Sequence, residues 1–143
     1  MDRKEQRVLL VENEPSDIQL FTECIGEERY QSHVQVVRDG EEALRYLRQE
    51  GEYAGSARPA LIILDLNMPR MDGRELLRTI KGAETLKEIP VAVFSTSSAE
   101  HDIKQAYRDH ANCYFVKPMD FRLYCALVKD IMRFWLETAA LPR

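Results

Sequence analysis

Five short runs of β-forming residues alternate along the chain with five helical patterns, and that alternation leaves few folds open. The strand-like runs are residues 8–12, 33–38, 61–65, 91–95 and 113–116. The stretches between them carry helical patterns of about 10–15 residues, the arrangement of βαβ units on a parallel sheet. The third run, Ala60-Leu61-Ile62-Ile63-Leu64, is apolar throughout, as expected of a central strand buried on both faces. It ends in Asp65, where open α/β sheets hold their ligands, in the crevice outside the carboxyl edge. A carboxylate there is costly unless a cation, a donor or a reaction partner meets it.

The helix starts are signposted. Pro15 suits a first turn, where a missing N–H costs nothing. Asp39-x-x-Glu42, Asp72-x-x-Glu75 and Ser97-x-x-Glu100 each fit a capping box. Ile18, Phe21 and Ile25 form an apolar stripe on the first helix, and Leu76, Leu77 and Ile80 on the third. Residues 51–59, with two glycines and a proline, read as a surface loop. In the last helix the charged residues are confined to one side, and the apolar ones cover about 220° of the circumference. Docking on one sheet face needs only ~100°, so either a partner or the chain's own domain must cover the excess.

At 143 residues the chain suits one domain. A net charge of −4 gives no general pull toward nucleic acid or an anionic membrane surface. No apolar run approaches the ~18 residues of a membrane span, and the N-terminus lacks the apolar core of a signal peptide. The cysteines (Cys24, Cys113, Cys125) are scattered, with no CxxC spacing, and read as reduced, buried or half-buried thiols of a cytoplasmic protein.

In a parallel sheet the residues that end each strand come together. Here they are Glu12-Asn13, Asp65, Ser95-Thr96 and Lys117-Pro118. Singly, each has a bland explanation as a turn, cap or solvated residue; together they fit a phosphorylatable carboxylate. Glu12, Asn13 and Asp65 offer hard oxygen ligands suited to Mg²⁺. Asp65 can attack phosphorus in line, while Lys117 supplies a cation and Ser95 a hydroxyl donor for phosphoryl oxygens.

The stretches Val11-Glu12-Asn13, Leu64-Asp65-Leu66-Asn67-Met68-Pro69-Arg70-Met71-Asp72-Gly73, Phe94-Ser95-Thr96 and Val116-Lys117-Pro118 resemble the motifs of two-component response-regulator receiver domains. The resemblance runs from about Arg7 to Phe134. It implies a single receiver domain over residues 1–143, with a core of about 7–134 and a C-terminal extension at 135–143 that is available for a dimer contact. The implied fold is a flavodoxin-like (βα)5 domain, a doubly wound five-stranded parallel sheet of order 2-1-3-4-5. The implied activity is Mg²⁺-dependent phosphoryl transfer from a sensor histidine kinase to Asp65, with a further metal ligand in the backbone carbonyl of Asn67. Ser95 and Tyr114 match the switch residues, Tyr114 turning inward on activation, and Lys117 matches a lysine that typically precedes a cis proline. The 51–59 loop, the Ser-Thr-Ser-Ser run, Asn112-Cys113-Tyr114 and the ending Phe134-Trp135-Leu136 are similar to stand-alone receivers paired with bacterial phytochromes. The protein is then no enzyme beyond self-phosphorylation and self-dephosphorylation. A bacteriophytochrome kinase and a homodimer through the last helix are its expected partners, without nucleic acid or membrane.

One departure from the family pattern concerns the metal. Where the family usually has two acids after the first strand, this chain has Glu12-Asn13. Asn13 keeps an amide oxygen, but one charge is lost; a unit-charge pair ~4 Å apart at an effective dielectric near 20 is worth at most about 4 kcal/mol. Weaker Mg²⁺ binding with retained phosphorylation is the expectation. Glu14 offers a substitute ligand or a helix cap. The alternative is a degenerate, constitutive dimerisation or binding module. A third class, an aspartyl-phosphate phosphatase, needs a second acid where the chain has Asn67. His33, His101 and His110 read as surface or packing residues, Met68, Met71 and Met119 as packing, and Arg70 as solvated.

Overall fold

The computed structural model of the chain describes residues 6–26, 33–68 and 70–142. Its elements are β1 (Val8–Val11), α1 (Pro15–Ile25), β2 (Val34–Val37), α2 (Gly40–Leu47), β3 (Leu61–Leu64), α3 (Gly73–Gly82), β4 (Val91–Ser95), α4 (Glu100–Arg108), β5 (Cys113–Val116) and α5 (Phe121–Arg133). All five strands are parallel, in the order β2-β1-β3-β4-β5. The predicted strands were each correct to within one residue at either end.

Alternation along the strands sends side chains to two cores. Val8, Leu10, Leu61, Ile63, Ala92 and Phe94 meet α1 and α5 on one face. Leu9, Val11, Ile62, Leu64, Val91 and Val93 meet α2, α3 and α4 on the other. Every residue of β1 and β3 is buried, which explains why their sequences carry no polar side.

Helix α1 opens on Pro15. Asp39 and Asp72 cap α2 and α3, accepting from the amides of Glu42 at 2.8 Å and Glu75 at 3.0 Å. Ser97 is not the cap of α4: the Ncap is Ala99, and the Ser97 hydroxyl donates to Asp102 at 2.6 Å. The Ser97 oxygen accepts the Ala99 amide at 3.2 Å, two residues on, in a local turn ahead of the helix. Glu14 occupies the Ncap position of α1, but its side chain makes no capping bond. Asp120 caps α5 through the Leu123 amide at 3.0 Å, a signal not read from the sequence.

Two further expectations fail. Cys24 on α1 and Cys125 on α5 are joined in a disulfide, with their Cα atoms 4.8 Å apart; only Cys113 is free. Spacing could not show this, because the pair is 101 residues apart and meets only when both helices pack on one sheet face. The Lys117–Pro118 peptide is trans, as is every peptide bond among the described residues; the isomers before proline differ by only ~0.5–1 kcal/mol, so local sequence does not decide between them.

The surplus apolar arc of α5 divides. Tyr124, Val128, Ile131, Met132 and Leu136 are buried in their own domain, Leu136 on a π-helical turn (Phe134–Thr138). Phe121, Leu123 and Phe134 are 50% or more exposed.

Candidate functional site

Strand register gathers the site. Val11 pairs with Leu64, so Glu12 and Asp65 leave the sheet side by side. Ser95 pairs with Val116, which puts Lys117 one residue beyond the edge on the neighbouring strand. Gly73, at the start of α3, lies so close that a Cβ would overlap the Asp65 carbonyl oxygen, and only glycine lets the helix approach.

The centre of the site is a buried ion pair. The Lys117 ammonium donates to Glu12 Oε1 at 2.6 Å, with both side chains 5% exposed, and stands 5.5 Å from the centre of the Phe94 ring. A second carboxylate reaches the same ammonium, Asp17 Oδ2 of α1 at 3.2 Å. Burial alone would lower the Lys117 pKa, but Glu12, Asp65 and Asp17 outweigh it, so the lysine holds its proton more firmly than usual. Burial pushes Glu12 up to about 7, with Lys117 pulling against the rise and Asp65 adding to it. The remaining oxygen of Glu12 accepts the Glu14 amide at 3.2 Å.

Asp65 is half-buried, and its Oδ1 accepts the Asn67 amide at 3.3 Å. Asn13 is half-buried, and its amide makes no hydrogen bond among the described residues. These residues fit a divalent cation: Asn13 and Asp65 present hard oxygens, and a cation would relieve the repulsion between Asp65 and Glu12 that helps to raise Glu12. Among the described residues no three His, Cys, Asp or Glu side chains form a cage, so such an ion would keep several waters.

Ser95 is fully buried, and its Oγ accepts the Ser97 amide at 3.2 Å. Tyr114 packs against the core of the α2–α4 face and donates its hydroxyl to the Ser97 carbonyl at 2.9 Å. Arg74 bridges from α3 to Asp102 at 3.3 Å, so the loop around Ser97 is tied at three points.

Glu12, Asp65 and Lys117 thus converge as expected, with Asn13, Asn67 and Ser95 around them. The histidines do not join: His33 bonds the Gln6 carbonyl, and His101 lies exposed beside Asp102. Arg70 is not merely solvated but pairs with the Asp39 cap at 2.7 Å. Met68 and Met71 pack into the core, whereas Met119 is fully exposed. Asp17 was missed. Its signal was its place in the first turn after Pro15, which points it at the carboxyl edge.

Together these features define a class of doubly wound α/β domain with acids and one buried lysine at the switch edge of the sheet. The chain belongs to the response regulator receiver domain family, whose pattern matches residues 8–129. Response regulator Rcp1 of Synechocystis sp. is 43% identical over 135 residues, covering 94% of this chain and 92% of its own. The crystal structure of the phosphorylated cyanobacterial phytochrome response regulator RcpA is similar over 97% of this chain and 99% of its own, at 49% identity and a TM-score of 0.91. The Mn²⁺-bound form of Rcp1 aligns with a TM-score of 0.88 at 41% identity, over 96% and 99%. No described helix is long and apolar enough to cross a membrane.

Proposed function

We propose that this receiver domain is a phosphorylation-dependent switch that takes a phosphoryl group from a sensor histidine kinase onto Asp65. The observation that carries the reading is the buried Lys117 ammonium, held among Glu12, Asp17 and Asp65 at the mouth of the site. An Asp65 oxygen attacks phosphorus; a P–O bond forms as the P–N bond to the donor imidazole breaks, and the bonding pair leaves on that nitrogen. Lys117 takes up the charge that moves onto the phosphoryl oxygens, and the Ser95 hydroxyl donates to one of them. Glu12, Asn13, Asp65 and the Asn67 carbonyl would hold Mg²⁺, which when bound neutralises phosphoryl charge.

Two named relatives, one a phosphorylated phytochrome response regulator and the other in a Mn²⁺-bound form, support this reading. The donor is then a phytochrome-type kinase, and the protein works beside it in the cytoplasm. Output passes through protein contacts on β5 and α5, where a second copy would cover Phe121, Leu123 and Phe134.

The test is incubation with acetyl phosphate or phosphoramidate and Mg²⁺, followed by intact-mass measurement. Wild type gains one acid-stable, base-labile phosphoryl group, and Asp65→Asn gains none. An unmodified wild type, or equal labelling of Asp65→Asn, overturns the reading. For the dimer, Phe134→Asp rather than Leu136 is the informative change, because Leu136 is buried in its own domain. Monomeric wild type in solution ends that part of the proposal.

A second reading, a constitutive receiver-type binding module, has one observation in its favour. Asn13 stands where a second acid would face the metal, which leaves the site one charge short. Titration with Mg²⁺, followed by tyrosine or Trp135 fluorescence, separates the two. Saturation at millimolar metal supports the switch, and no response supports the module.

A further inference from the structure

The receiver pattern accounts for Glu12, Asp65, Ser95 and Lys117, but nothing in that pattern calls for Asp17. We propose that Asp17 is a positioning residue that holds the Lys117 ammonium back from Asp65, so that an incoming phosphoryl group must draw the lysine off a second carboxylate. This rests on the phosphoacceptor reading of Asp65.

Three observations carry it. Lys117 makes two ion pairs, to Glu12 at 2.6 Å and to Asp17 at 3.2 Å, and none to Asp65 within the same range. The ammonium is buried while the Asp17 side chain is 32% exposed, so the Asp17 arm is the more hydrated and the easier to release. The position of Asp17 is also enforced. Asp17 and Cys24 are seven residues apart on α1, which places them within about 20° of one line along the helix. Cys24 is bonded to Cys125 on α5, and Phe21, one turn before it, is buried between the helices. The face of α1 that carries Asp17 is therefore locked toward α5, the helix that follows Lys117 in the chain.

Holding the lysine slows the reaction that needs it. Asp17→Asn leaves Lys117 with Glu12 alone, and phosphoryl uptake from acetyl phosphate should quicken roughly two- to fivefold, the scale of a partly exposed ion pair. The experiment compares wild type with Asp17→Asn, Asp17→Glu, Lys117→Gln and the double variant Asp17→Asn/Lys117→Gln, following uptake by intact mass. It also follows the ¹⁵N–¹H signal of the Lys117 ammonium in the free protein. Expected are faster uptake in Asp17→Asn, near wild-type rates in Asp17→Glu, and no effect of Asp17→Asn once Lys117 is Gln. The ammonium signal should be protected from exchange in wild type and lose that protection in Asp17→Asn. An unchanged ammonium signal, or an equal effect of Asp17→Asn in the Lys117→Gln background, overturns the proposal. If wild type takes up no phosphoryl group, the Asp65 reading falls, while the ammonium signal still decides whether Asp17 holds the lysine.

Discussion

The two faces of the sheet bury matching sets of strand residues, yet they are closed by different means. On the α1/α5 face the helices are tied covalently through Cys24–Cys125, and aromatic rings fill the space, Phe94 lying 5.4 Å from Tyr124. On the α2–α4 face aliphatic residues such as Leu44, Leu76, Leu77 and Ile80 pack without a cross-link, and capping aspartates set the starts of α2 and α3. The site draws one part from each. Lys117 is held by α1, through Asp17, whereas Ser95 and Tyr114 meet the opposite face through the loop at Ser97. The cross-linked face supplies the carboxylate that holds Lys117, and the face without a cross-link carries the contacts of Ser95 and Tyr114 at Ser97.

If that contrast is right, the largest single loss comes from the face without a cross-link. Leu77→Ala, at a site 1% exposed, should cost ~2–5 kcal/mol in denaturant unfolding; a loss below about 1 kcal/mol would mean that this face relaxes freely around a cavity. Replacing both Cys24 and Cys125 by Ser should cost ~2–4 kcal/mol, by freeing a long loop in the unfolded chain. The same loss should appear in wild type on adding a reductant, and an indifferent wild type would remove the covalent half of the comparison.

Glu12 gives the comparison a pH dependence. Its folded pKa is raised from the ordinary value to about 7, so the folded state binds the extra proton. The stability that this proton contributes is complete below the unfolded pKa and is lost as pH rises through 7. Without metal, stability should fall across that window by at most about 1.4 kcal/mol per pH unit, and Glu12→Gln should flatten the slope. A slope that survives in Glu12→Gln belongs to another group. The smallest effect expected is at Asp120→Ala, about 1 kcal/mol from the lost cap on α5, read in the same unfolding experiment.

Much of the site was legible because its residues end strands. Asp65 follows an apolar run and Glu12 a shorter one, and in a parallel sheet such ends share an edge whatever the loops do. The helix caps at Asp39 and Asp72 were legible for a related reason: the capping bond spans three residues and forms within the local chain. Ser97 shows where that logic stops. The same four-residue pattern was present, but the Ser97 oxygen accepts the Ala99 amide in a turn before the helix starts. Arg70 is solvated as read, at 65% exposed, but its partner Asp39 was not legible because it lies 31 residues away.

The sequence by itself determined the five-stranded alternation, the acid at the end of the third strand and the group of residues at the carboxyl edge, since periodicity and strand termini are local properties. Tertiary structure alone decided that Cys24 meets Cys125, that Asp17 shares Lys117 with Glu12, and which residues of the last helix stay exposed. Each of these depends on how two helices lie against one face of the sheet, and no interval along the chain records that.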